Sequence, residues 1–103
     1  MTQIWKDGKV VRNSDNYGGW ARQIARQQHV AFIDLNAIIA RHYDELGEQK
    51  VEPLFADPHT HTSWAGAVLN AQSVVAGLKA LPHDPLAAYF SAKGKAITAD
   101  AGN

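Results

Sequence analysis

The sequence predicts an α/β fold in which helix, strand, helix, irregular loop and helix follow one another, and three patterns carry that prediction. Tyr17, Trp20, Ala21, Ile24 and Ala25 fall at i, i+3, i+4, i+7 and i+8, one stripe of a helix. His29-Val30-Ala31-Phe32-Ile33-Asp34-Leu35 is a short apolar run with branched and aromatic residues, the pattern of a parallel strand buried on both faces. Leu35, Ile38, Ile39, His42, Tyr43 and Leu46 make a second helical stripe, and Gly47 stands where a helix C-cap belongs.

Each element has a local cause. Asp7-Gly8, between Lys6 and Lys9 and followed by Val10-Val11, signals a tight turn in a short hairpin-like excursion over residues 1–13. Ser14 or Asp15 is the expected N-cap of the first helix, with Tyr17 and Trp20 assigned to the core. Asp34 closes the strand. Its favoured role is to cap the next helix, with Asn36 beside it; the competing role is that of an acid at the carboxyl end of a strand, where open α/β sheets bind ligands. Pro53 and Pro58 make residues 48–61 an irregular connection. A third helix starts at Thr62 or Ser63 and ends before Pro82, with Trp64, Val68, Ala71, Val75 and Leu78 on one face and Ala67, Val74 and Leu81 beside them. On that stripe Trp64 reads as core in preference to a stacking platform for a sugar ring. Residues 83–91 are expected to make one short turn of helix, and the small, polar stretch 92–103 a frayed tail.

With 46% hydrophobic and 19% charged residues over 103 positions, the composition is that of one globular domain at most. Ten basic and ten acidic residues cancel, so nothing in the charge points to nucleic acid or an anionic membrane. The absence of cysteine removes disulfides and thiolate zinc sites. Residues 1–7 show no apolar leader, and no run reaches the length of a membrane-spanning helix, so no membrane association and no export signal are expected in the chain itself.

One strand cannot make a sheet, because a buried, unpaired strand leaves amides and carbonyls without partners. The chain therefore reads as the last third of a larger α/β domain, marginal or self-associating through an uncovered sheet edge when alone.

The chemistry concentrates in Asp57-Pro58-His59-Thr60-His61-Thr62-Ser63, an acid and two histidines directly before a predicted helix. A carboxylate and an imidazole on one loop are two thirds of a nucleophilic hydrolase site. Asp57, His59 and His61 are also chemically adequate as zinc ligands, a reading weakened by the lack of a further ligand set, and no metal or cofactor is assigned. His29, His42 and His83 read as surface or helix-flank residues.

The block His61-Thr62-Ser63-Trp64-Ala65-Gly66-Ala67, with an acid before it and Asn70-Ala71 after it, resembles the last block of the SGNH or GDSL hydrolases, most of all their rhamnogalacturonan acetylesterase-like members. Trp5-Lys6-Asp7-Gly8-Lys9-Val10, Asn16-Tyr17, Phe32-Ile33-Asp34-Leu35, Leu46-Gly47 and Val75-Ala76-Gly77-Leu78-Lys79-Ala80-Leu81 extend the likeness over residues 1–91. The resemblance implies the C-terminal portion of a flavodoxin-like three-layer fold and a serine esterase that deacetylates pectic polysaccharide outside the cell. It assigns His61 as the catalytic base and Asp57 as the acid that orients it. The family spacing puts the acid three residues before the histidine, where this chain has Pro58. Either a one-residue bulge keeps Asp57 at His61 Nδ1, the favoured arrangement, or the base is displaced and His59 takes some role. Ser14, Ser63, Ser73 and Ser91 lack the family's Gly-Asp-Ser surroundings, and the oxyanion-hole blocks are equally absent. The chain alone is accordingly expected to be inactive. The competing expectation is a small non-catalytic interaction domain whose loop histidines are structural.

Overall fold

A computed structural model describes residues 3–102 and shows a small α/β arrangement dominated by helices. Strands β1 (Trp5–Lys6) and β2 (Lys9–Val10) form an antiparallel hairpin, with Trp5 opposite Val10 and Lys6 opposite Lys9. Asp7 and Gly8 both have positive φ, the geometry that an Asp-Gly turn supplies. The hairpin is tied to α2 (Leu35–Leu46), where Asp44 accepts the Val10 N–H at 2.7 Å and pairs with Arg12 at 2.9 Å. Trp5, Tyr43 and Val51 form a buried cluster beneath it.

Helix α1 (Tyr17–Gln27) begins later than expected, capped by Asn16 and not by Ser14 or Asp15. Asn13 and Ser14 are folded against its first turn, so close to Gly18 and Gly19 that neither glycine has room for a Cβ. At its other end, the Val30 N–H reaches the Ala25 carbonyl and the His29 N–H reaches that of Arg26, with His29 at φ 55. This is the Schellman closure of a helix.

That closure corrects the expected strand over residues 29–35. His29 and Val30 belong to the helix end, and residues 30–34 run on without a strand partner among the described residues. Ile33 packs against Gly77, and Arg22 lies 4.9 Å over the Phe32 ring. Asp34 caps α2 by accepting the Ala37 N–H and also pairs with Arg22, while Gly47 ends that helix at φ 88.

After α3 (Glu48–Val51) and a 3₁₀ turn (Glu52–Leu54), helix α4 (Trp64–Lys79) packs along α2. Its buried residues are Gly66, Ser73, Ala76 and Gly77. At 100° per residue these lie opposite the bulky face that the sequence nominates. Small side chains win because the helices approach closely: a Cβ on Gly77 would strike Ile33 and crowd Ile38. The expected core roles of Trp64, Tyr17 and Trp20 are therefore corrected, as these residues are 85%, 75% and 57% exposed.

Over residues 92–102 the C-terminal stretch is not the expected frayed tail. Following a short 3₁₀ turn (Ala87–Tyr89), α5 (Ala92–Ala96) is capped by Ser91, and Lys79 Nζ donates to the carbonyls of Gly94, Lys95 and Ile97. The Asp100 N–H reaches the Ala76 carbonyl, and the Asp100 carboxylate pairs with Arg41. Among the described residues no helix is long and apolar enough to cross a membrane.

Candidate acid–base site

The acid and both histidines lie on a loop closed at its base by backbone pairing. Phe55 and Thr62 form an antiparallel bridge, the Ala56 N–H donates to the His61 carbonyl at 2.8 Å, and the Ser63 N–H donates to the Leu54 carbonyl at 2.9 Å. Ser63, one of the two expected caps, is the one used. Its hydroxyl donates to the Pro53 carbonyl at 2.7 Å and accepts the Gly66 N–H at 3.3 Å, joining the 3₁₀ turn to the start of α4.

Within this frame Asp57 serves three donors. Oδ1 accepts the backbone N–H groups of Thr60 and His61 at 2.8 and 2.9 Å, and Oδ2 lies 2.5 Å from His61 Nδ1. The four-residue separation is thus spanned, and the structure brings together the two residues that the sequence nominates. The backbone N–H of His61 above all, then the His61 ring and the Thr60 N–H, pull the Asp57 carboxyl from 3.8 to about 2.

A pH dependence follows from that shift. The folded carboxyl holds its proton less tightly than the unfolded one. The stability it gives the loop is fully present above 3.8 and is lost as the pH falls through about 2. The amide proton shifts of Thr60 and His61, followed by NMR, are expected to move together in that window and to stay flat in Asp57→Ala. Movement centred near the unfolded value would contradict the three-donor arrangement.

With Nδ1 held on a carboxylate and the His61 side chain 77% exposed, Nε2 is the nitrogen left to exchange a proton with a reactant. Such a pair can act as a general base, with the carboxylate fixing the tautomer and steadying the imidazolium.

His59 is placed differently. Its Nε2 lies 2.9 Å from Glu52 Oε1, its ring stands edge-on to Phe55 at 5.0 Å, and its backbone has φ 73. Asp57, His59 and His61 do not converge on one point, and no group of three or more potential metal ligands occurs among the described residues. Glu52 and Phe55 were not legible as site residues, because nothing in their spacing ties them to the histidines; only the fold brings them there.

The hydroxyls of Ser63, Ser73 and Ser91 are bonded to local backbone. A cavity of about 620 Å³ lies elsewhere, between α2, α4 and the C-terminal stretch, with Arg41, His42, Gln72, Ser73 and Asp100 in its wall. Comparison with protein-family models, curated proteins and solved structures gave no match.

Proposed function

We propose that the chain is the C-terminal part of an SGNH-type carbohydrate esterase, resembling rhamnogalacturonan acetylesterases, and that it supplies the base His61 and the orienting acid Asp57. The observation that carries this reading is the contact of Asp57 Oδ2 with His61 Nδ1 at 2.5 Å, on a ring otherwise open to solvent. A serine from the upstream part of the domain attacks the acetyl carbonyl carbon. His61 Nε2 takes the seryl proton and gives it to the sugar oxygen as that oxygen's bond to the acetyl carbon breaks, and water, deprotonated by the same base, then cleaves the acetyl-serine to acetate. The substrate is an acetylated pectic polysaccharide, and the place of action is outside the cell.

The uncovered surfaces support the same reading. The apolar stripe Tyr17, Trp20 and Ile24 of α1 is exposed, as are Val30, Trp64 and Val68. Residues 30–34 lack a ladder partner within the described chain. A three-layer α/β domain would cover such faces and pair such a segment.

The test is genetic and enzymatic. The frame upstream of Met1 is expected to encode a Gly-Asp-Ser block and a Gly-x-Asn-Asp-like block. Residues 1–103 alone are expected to leave a chromogenic acetate ester intact, and joining them to that upstream part is expected to produce hydrolysis. Absence of both blocks from every frame, or turnover by the chain alone that His61→Ala abolishes, would overturn the proposal; the first result would favour a small interaction domain.

A further inference from the structure

The geometry points to Glu52 and His59 as positioning residues for the Asp57–His61 pair: their contact holds the left-handed turn that lets an acid four residues before the base reach its Nδ1. This rests on the reading of His61 as the base, and it gives functions to two residues outside the family-like acid–base pair.

The route from Asp57 to His61 shows why the turn is needed. The Asp57 carbonyl accepts the His59 N–H at 2.6 Å, so the chain reverses immediately after Pro58. His59 then takes φ 73, and the next two N–H groups, those of Thr60 and His61, swing back onto Asp57 Oδ1. With His59 in the usual right-handed or extended region, the two amides would not converge on that oxygen and the ring would move with them. The left-handed residue is what absorbs the extra position.

A residue other than glycine keeps such a conformation only where its surroundings over-determine it. Here the surroundings act on the His59 side chain, which is 8% exposed. Glu52 Oε1 stands 2.9 Å from Nε2, and Phe55 meets the ring edge-on with 84° between planes. Phe55 in turn stands edge-on to Tyr43, a buried residue of α2. The orientation of the acid is therefore referred, through His59 and Phe55, to the core, with Glu52 fixing the rotation of the imidazole.

The test follows the His61 Nδ1 proton by NMR in the full chain. In the unaltered protein this proton is expected to give a slowly exchanging signal that Asp57→Asn removes. Glu52→Ala changes a half-exposed side chain in a 3₁₀ turn, so the core should persist, with protected Ile38 and Val51 amides as the check. Exchange of the His61 Nδ1 proton is expected to quicken about tenfold or more in Glu52→Ala and in His59→Gly, which keeps the turn's backbone freedom but loses the ring. Glu52→Gln, which retains an acceptor, is expected to stay within about twofold of the unaltered chain. Exchange within about twofold in both Glu52→Ala and His59→Gly would overturn the inference. The readout needs no turnover, so its failure leaves the esterase proposal to its own assay, and an inactive joined enzyme leaves this result in place.

Discussion

In the proposed esterase, with this chain joined to the upstream part, His61→Ala is expected to lower kcat by about 10⁴ or more, with little change in KM. The size follows from the division of labour. A seryl hydroxyl is a weak nucleophile until a base removes its proton in the transition state, and neither His59 nor His42 stands ready: His59 is held by Glu52 and Phe55, and His42 lies 4.0 Å from the Asp100 carboxylate in the separate cavity. Asp57→Asn should approach the same loss, about 10⁴, although its side-chain carbonyl can still accept backbone N–H groups. The amide can present a donor to Nδ1 and so favour the wrong tautomer. Steady-state kinetics on a chromogenic acetate, with folded protein counted by its protected core amides, separates lost chemistry from lost protein. A fall of less than about tenfold for His61→Ala would remove it from the role of base.

Gly66→Ala is expected to destabilise the fold by about 2 kcal/mol, although alanine is the better helix former by about 1 kcal/mol. Gly66 lies in the first turn of α4, and a Cβ there would fall against the Leu54 carbonyl oxygen. That oxygen accepts the Ser63 N–H at 2.9 Å and belongs to the 3₁₀ turn, so the obstacle is backbone and not a side chain that could rotate away. The turn must shift, and with it the bonds that close the loop. Thermal unfolding should show a fall in Tm of about 10 °C. Gly94→Ala in α5 is the control, since a Cβ there meets nothing closer than 3.4 Å. It should be neutral or slightly stabilising, and equal melting of the two variants would mean that the loop and α4 do not approach as described.

The sequence showed several features whose causes are local, though not the Asn16 cap of α1. The Asp-Gly turn, the Asp34 and Ser63 caps and the Gly47 stop each depend on a few adjacent residues, and each is present. The Asp57–His61 contact was legible for the same reason, since its closure lies within one loop. What failed was inference about faces. Tyr17, Trp20 and Trp64 sit on apolar stripes, and a stripe tells which residues are alike, not which side meets a neighbour. On α4 the approach of α2 and Ile33 selects the glycine and serine side, a contact between distant segments that no periodicity contains. The strand over residues 29–35 failed because a strand is defined by its partner, whereas the helix end that took His29 and Val30 needs only its own last turn. Glu52 was not legible because its contact exists only where the His59 ring is turned toward it.

The closed loop between Phe55 and Thr62 has a kinetic consequence. The bonds that join Asp57 to His61 and close their loop lie between Pro53 and Gly66, so their formation encloses only short loops, whose entropy of closure is small. Contacts of such short range form early, ahead of the packing of α4 along α2 and of any docking with a distant segment. An imidazole–carboxylate element that closes within its own neighbourhood can form before the rest of a domain, and the packing of Phe55 on Tyr43 then fixes it to the core.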